Sequence, residues 1–341
     1  MSYQPPFEIT PQIINQISDI AEQVGRLGRH GLNASPQLRK QNRIRTIQGT
    51  LAIEGNTLSL AQVTAILEGK RVLGQPREIS EVRGAIRAYE TLETWEPSST
   101  KDFLTAHQYL MGDILADAGK FRRAGVGIHK EGRVVHVAPP AKRVPLLMSD
   151  LLSWFHHAED HPLIKGSVFH YELEFIHPFM DGNGRMGRLW QTLILGRWNP
   201  LFFLLPIESL IKDEQTRYYQ VLEAADQAAN STVFIEFMLD MIGNALTQAA
   251  SKTDQVTDLV TDQVTDPVEN LLAVMDERYF TTRSLMERLG LSHRATFRKN
   301  YLMPALMAGR LEMKYPASPR HPQQQYRRTH PIQAGFSSHS G

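Results

Sequence analysis

Two stretches of helical periodicity, residues 164–176 and 185–196, are interrupted by a segment no helix can continue through: His177-Pro178-Phe179-Met180-Asp181-Gly182-Asn183-Gly184. Val168, Phe169, Leu173 and Ile176 make the apolar stripe before it, and Leu189, Trp190, Leu193 and Ile194 the stripe after it. Pro178 and the glycines break the first helix. A glycine-rich loop therefore opens onto the N-terminus of a helix. Unpaired amides and the helix dipole make such a place an anion site. Arg185 and Arg188 lie three apart on the new helix and lean towards the same anion. Asp181 stands at the loop entrance, where a carboxylate can hold Mg²⁺ on phosphates. His177 ends the preceding helix and faces the loop. Its imidazole is largely neutral at pH 7 and can accept a proton. A base, a metal ligand, an amide nest and two arginines suit phosphoryl or nucleotidyl transfer.

Two other phosphate-loop readings fail. Gly182, Gly184 and Gly187 match G-x-G-x-x-G, and Glu208 follows about twenty residues later. That fingerprint needs a buried strand before it, and here a helix ending in His-Pro-Phe precedes it. A Walker A loop needs Gly-Lys-Ser/Thr, which is absent from the segment.

The rest of the chain is read around this loop. Helical patterns cover 11–28, 40–54, 78–95, 100–117, 145–157, 209–224 and 231–249. The exception is Gly125 to Val137, where apolar residues flank Lys130-Glu131-Gly132-Arg133 and predict a β-hairpin. His157 and His161 have i, i+4 spacing, but no third ligand is evident, so they read as helix-end residues. Thr253 to Val268 repeats TDQV TDLV TDQV TDPV and reads as a polar linker, transiently helical or self-associating, with Pro267 ending any helix before it. Beyond it come a helix over 268–278, a second capped by Thr281-Thr282 and ended by Gly290, and a third over 292–308. Two short strands, 310–314 and 323–328, complete a winged-helix pattern.

Charge supports a separate module there. The whole chain carries a net charge of +1. Residues 281–330 hold ten basic residues against two acidic ones, so the remainder is mildly acidic. Nucleic acid is the first partner to consider. The chain has no cysteine, which excludes a disulfide framework, a thiolate metal site and a cysteine nucleophile. No signal peptide is seen near the start, and the apolar run Leu201 to Leu205 is too short to span a bilayer. A cytoplasmic protein without a membrane partner is expected.

The segment His177 to Arg188 resembles the Fic family motif, HPFxDGNGRxxR, at every specified position. The resemblance implies a mainly α-helical core with a β-hairpin flap. It also implies protein AMPylation: AMP moves from ATP to a Ser, Thr or Tyr hydroxyl of a protein, the enzyme itself included, and pyrophosphate leaves. By this resemblance His177 is the base and Asp181 positions Mg²⁺. Gly182, Asn183, Gly184, Arg185, Met186, Gly187 and Arg188 make up the nucleotide-binding loop, and Phe179 is a buried anchor. The related Doc branch, which phosphorylates, has Lys where Gly184 stands, so the resemblance favours nucleotide transfer.

Three further matches extend the resemblance over most of residues 40–230. Thr50-Leu51-Ala52-Ile53-Glu54-Gly55-Asn56 looks like the family's inhibitory motif, [S/T]xxxE[G/N], and implies an ion pair between Glu54 and Arg188. A carboxylate there competes with a phosphate for one guanidinium fork. The hairpin falls at the family's flap, where a target protein docks by strand addition on residues 125–137, and Val126 lies near the nucleotide. Tyr218 and Tyr219 match a tyrosine pair near the adenine. Asp226 stands where the family often has Asn and is given no contact.

The expected layout is an N-terminal helical region with the inhibitory motif (1–95), a Fic core (96–250), a repeat linker (251–267), a winged helix (268–330) and a tail (331–341). Alternatives stay open at the same site: de-AMPylation, or transfer of another nucleotide. A DNA-binding regulator acting through the winged helix is the reading from another class. A DNA or protein partner for that module and a homodimer are both open.

Overall fold

The computed structural model describes residues 3–30, 36–130, 133–263, 267–276, 278–291, 294–307, 309–316, 318–319, 321 and 323–329. The hairpin-turn residues Glu131 and Gly132, the start of the expected third helix at Ser292 and His293, and the tail from His330 lie outside them. The chain divides into two compact units, residues 1–253 and 254–341.

The first unit is helical. Its elements are α1 (Pro11–His30), α2 (Pro36–Ile53), α3 (Leu60–Leu67), α4 (Pro76–Thr91), α5 (Thr100–Met111), α6 (Val144–His157), α7 (Pro162–Ile176), α8 (Asn183–Trp198), α9 (Ile207–Asp213), α10 (Gln215–Ala228) and most of α11 (Thr232–Gln263), which continues past residue 253. Strands β1 (Gly127–Lys130) and β2 (Arg133–Val137) form the expected antiparallel hairpin. The register shifts between Ile128 and His129.

The centre of this unit is the α7–α8 pair, with the motif loop between them. Both helices are buried around nearly their whole circumference. Their buried faces include polar and charged side chains as well as the apolar stripes, among them His170, Glu172, Arg185, Arg188 and Gln191. Trp190 on α8 stacks on Trp95 and donates its indole N–H to the Pro97 carbonyl at 3.0 Å. Helix α2 packs along α9, and α4 along α5. The contact between α4 and α5 is set by Gly84, where a Cβ would lie 2.2 Å from the Leu110 carbonyl oxygen.

Three local readings are corrected. Residues 209–224 are not one helix: α9 ends at Asp213 and α10 begins at Gln215. Helix α3 was not foreseen, although Ser59 and Gln62 form a capping box at its start. The repeat is helical from Thr253 to Gln263 as the continuation of α11, and Pro267 is the first residue of the next helix. Proline fits there because the first helical amide has no intrahelical partner.

The second unit holds α12 (Pro267–Ala273), β3 (Phe280–Thr281), α13 (Thr282–Arg288), α14 (Arg294–Phe297), α15 (Met303–Met307), β4 (Leu311–Met313) and β5 (Gln325–Arg328). A π-helical turn, Arg298–Leu302, joins α14 to α15. Thr281 accepts the Ser284 amide as the expected N-cap, and Gly290 has φ 66° as the expected terminator. The sheet is antiparallel in the order β3-β5-β4. Strand β3 was not foreseen, being only two residues long. Leu271, Leu285, Phe297 and Ala305 are fully buried in this unit's core.

Candidate active site

Helix α7 ends at Ile176 because His177 turns left-handed, with φ 51° and ψ 61°. A non-glycine residue in that region is strained and must be held by its surroundings. Arg122 holds it. Its Nε donates to the His177 carbonyl at 2.7 Å, its Nη2 to Ile176 O at 3.3 Å, and its amide to Pro178 O at 2.9 Å. The same guanidinium reaches Ala124 O at 3.0 Å and Pro139 O at 2.5 Å, on either side of the hairpin. Arg122 is buried, and burial pulls its pKa below the usual arginine range. The sequence reading missed this residue. Its signal is weak, one basic residue in a loop just ahead of the hairpin.

The loop is then closed by Asn183. Its side chain accepts the Phe179 amide at 2.9 Å and donates to the Phe179 carbonyl at 3.0 Å. Phe179 is fully buried and stacks on the His107 ring at 3.6 Å between centroids, as the anchor role expects. His107 takes the Gly119 amide on Nδ1 at 2.8 Å, so its proton sits on Nε2 and is donated to the Asp181 carbonyl at 3.0 Å. Burial lowers its pKa to about 4 and keeps it neutral. Gly182, at φ 87°, caps α8. Met186 is fully buried, and its amide bonds to Gly182 O at 3.0 Å. A Cβ at Gly187 would lie 2.5 Å from the His170 ring, so α8 approaches α7 closely there.

The charged groups converge on the loop. Asp181 Oδ1 pairs with Arg185 Nη2 at 3.1 Å and Oδ2 with Arg77 Nη2 at 2.9 Å. Arg185 also meets Glu81 at 3.4 Å. Arg188 is buried, with Nη2 2.6 Å from Glu54 Oε1 and 3.1 Å from Thr50 O, and Nε 3.0 Å from Thr50 Oγ1. Burial works against its charge, but Glu54 beside it raises its pKa above the usual range. Arg185 Nε and Arg188 Nη1 are buried with no hydrogen-bond partner among the described residues. A buried guanidinium N–H without an acceptor is costly.

Gly184 makes the arrangement fit. A Cβ there would stand 2.4 Å from Glu54 Oε1 and 3.1 Å from Arg188 Nη1. His177 Nδ1 lies 3.4 Å from the Glu174 carbonyl. Glu174 Oε1 takes a 3.4 Å bond from the Tyr218 hydroxyl and lies 3.9 Å from His170 Nε2. Tyr218 is buried, and burial followed by Glu174 pushes its pKa well above 10. Tyr219 is half-buried and donates to the Ile53 carbonyl at 3.3 Å. Val126 is half-buried immediately before β1. Asp226 takes the Tyr171 hydroxyl at 3.0 Å. His157 bonds to Ser153 O at 2.8 Å, and His161 N-caps α7, so both are helix-end residues as expected. Among the described residues, no group of three or more His, Asp or Glu side chains gathers as a metal cage. No described helix is long and apolar enough to cross a membrane.

Comparison with known proteins agrees with this geometry. Residues 97–195 match the Fic/DOC family, and residues 266–329 match the C-terminal domain of Fic-like proteins, described as filamentation induced by cAMP. A Fic family protein from Desulfovibrio desulfuricans G20, solved by crystallography, is 51% identical with a TM-score of 0.72, covering 96% of this chain and 98% of that one. The protein adenylyltransferase Fic of Culex quinquefasciatus is 30% identical over 223 residues, 62% of this chain and 42% of that protein. Protein adenylyltransferase fic-1 of Caenorhabditis elegans is 30% identical over 230 residues, 64% of this chain and 43% of that protein. The chain thus spans about two fifths of the length of these curated relatives. A loop closed by Asn183, a histidine at the end of α7 and two buried arginines on α8 are joined to a likeness at 51% identity that covers 96% of this chain and 98% of the relative, and on these grounds the chain belongs to the Fic family.

Proposed function

We propose that the chain is a protein adenylyltransferase that moves AMP from ATP to a Ser, Thr or Tyr hydroxyl of a protein and is restrained by its own Glu54. The observation that carries the reading is the state of Arg188: a buried guanidinium at the anion loop, its Nη1 unpartnered and its Nη2 on a carboxylate. Glu54 occupies one prong of the fork that a terminal phosphate of ATP would take.

In the reaction, the target hydroxyl oxygen attacks the α-phosphorus. Its proton passes to His177 Nε2, since Nδ1 is turned towards the Glu174 carbonyl. The bond from the α-phosphorus to the bridging oxygen breaks, and pyrophosphate leaves. Arg185, Arg188 and the amides at the start of α8 hold the phosphates in line. The residues fit a magnesium ion: Asp181 offers one carboxylate at the loop mouth, and this ion commonly takes one or two carboxylates with phosphate oxygens. When bound, the ion neutralises phosphate charge. The free edge of the β1–β2 hairpin suits a target segment added as a strand.

Intact-mass spectrometry after incubation with ATP and Mg²⁺ tests the reading on wild type, Glu54→Gly and His177→Ala. A gain of AMP that is largest in Glu54→Gly and absent in His177→Ala supports it. A gain of phosphate, or loss of AMP from a pre-modified protein as the main event, replaces it.

A second reading concerns residues 267–329. Helix α13, the Gly290 turn, the α14–α15 helix and the β4–β5 hairpin follow the winged-helix order, and Arg294, Arg298, Arg310 and Arg328 are exposed. With the basic surplus of this region, DNA is the partner that fits. A DNA affinity that falls steeply with salt, and is lost when the module is removed, tests it. Cytoplasmic residence and a homodimer accord with both readings and rest on the sequence alone.

A further inference from the structure

The inhibitory motif ends where α2 ends, and α10 grips that end. The Ile53 carbonyl is one of the last carbonyls of α2 and has no partner within the helix. Gln215 Nε2 donates to it at 2.7 Å, and the Tyr219 hydroxyl donates to it at 3.3 Å. Two side chains from α10 thus converge on one main-chain oxygen, immediately before Glu54. Elsewhere α2 is seated on α9: Ser209 Oγ donates to Arg45 O at 2.9 Å, and a Cβ at Gly49 would lie 2.7 Å from the Ser209 amide nitrogen.

Beyond Ile53 the chain leaves the helix in a tight turn. Glu54 N bonds to Leu51 O at 3.0 Å, Gly55 N to Ala52 O at 3.1 Å, and Gly55 turns at φ 87°. Glu54 projects from this last turn, its side chain 29% exposed. Its hold on Arg188 therefore depends on how firmly the turn is seated. We propose that Gln215, with Tyr219, is a positioning residue for the inhibitory glutamate: by clamping the Ile53 carbonyl, α10 keeps Glu54 on Arg188. This rests on the autoinhibited-transferase reading above. Loss of the clamp lets the last turn of α2 fray, and Arg188 then spends more time open to phosphate.

The experiment uses the full chain and measures self-modification by intact mass for wild type, Gln215→Ala, Glu54→Gly and the double variant. Gln215→Ala is expected to raise the wild-type rate about fivefold, the worth of one hydrogen bond. In the Glu54→Gly background it should change the rate by less than about twofold, because the inhibitor is already gone. A gain of activity cannot come from misfolding. A wild-type rate in Gln215→Ala beside a faster Glu54→Gly overturns the clamp. An equal rise in both backgrounds also overturns it, because Gln215 would then act on transfer itself. Amide hydrogen exchange of Glu54, Gly55 and Asn56 gives a readout independent of activity. It should quicken in Gln215→Ala, and unchanged exchange there refutes the clamp. If Glu54→Gly brings no gain while exchange does quicken, the clamp stands and the autoinhibition reading falls.

Discussion

Arg188 Nη2 and Glu54 Oε1 lie 2.6 Å apart, joined across 134 residues of chain. The arginine side chain is 1% exposed and the glutamate 29%. The pair is unequal: Arg188 is locked from behind by Thr50, while Glu54 reaches in from the edge. On the proposed reading, removing the glutamate leaves the arginine in place and open to phosphate. Glu54→Gly is therefore expected to raise transfer about 10- to 100-fold, the range for one charge-assisted hydrogen bond. Initial rates of AMP incorporation check this, and a flat result removes the inhibitory role.

His177 carries the chemistry in the proposed reaction. In the Glu54→Gly background, His177→Ala should lower transfer by at least about 100-fold, the usual loss for a general base. Nucleotide binding by calorimetry should stay within about threefold, because the arginines and the loop amides remain. A comparable loss of binding would make His177 a structural residue.

Arg122 ties the end of α7 to both ends of the hairpin through main-chain carbonyls. Methionine there keeps bulk and abandons several buried acceptors. Arg122→Met should cost about 3 kcal/mol of stability. Urea unfolding monitored by circular dichroism measures it, and a cost below about 1 kcal/mol would mean that water replaces the guanidinium.

His170 predicts an acid limb. Burial, followed by the nearby charge of Arg188, lowers its pKa from the ordinary 6.5 to about 3. The folded protein thus favours the neutral ring. That stability is complete above about pH 6.5, and it is lost as the pH falls towards 3. Between pH 7 and pH 4.5 the loss from this group is about 3 kcal/mol. His170→Asn should fold less stably at pH 7 and show a shallower loss on acidification. Parallel pH–stability curves for the two proteins would contradict the assignment.

Much of the site was legible because its residues are local. His177, Asp181, Asn183, Arg185 and Arg188 fall within one short loop and helix start, and their spacing alone sets a base against an anion nest. The Glu54–Arg188 contact was expected only through family resemblance, since no local pattern joins residues so far apart. Arg122 and Gln215 act through main-chain carbonyls of segments distant in sequence, and such bonds leave no periodic trace. The break between α9 and α10 was hidden for a related reason: 209–224 keeps a helical pattern although the helix ends at Asp213. In the second unit, Thr281 and Gly290 were readable because caps are written in one residue each. Strand β3 was not, because two residues carry no alternation.

The placement of Glu54 ahead of Arg188 in the chain has a consequence for synthesis and breakdown. Ribosomes build from the N-terminus, so every nascent chain long enough to contain Arg188 already contains Glu54. On the proposed reading, an unfinished chain that has Arg188 to grip phosphate therefore also has its restraint. A proteolytic cut between α2 and α8 followed by loss of the N-terminal piece has the opposite result. On the same reading, the fragment that keeps Arg188 sheds Glu54, so damage to this protein, unlike its birth, would release the site.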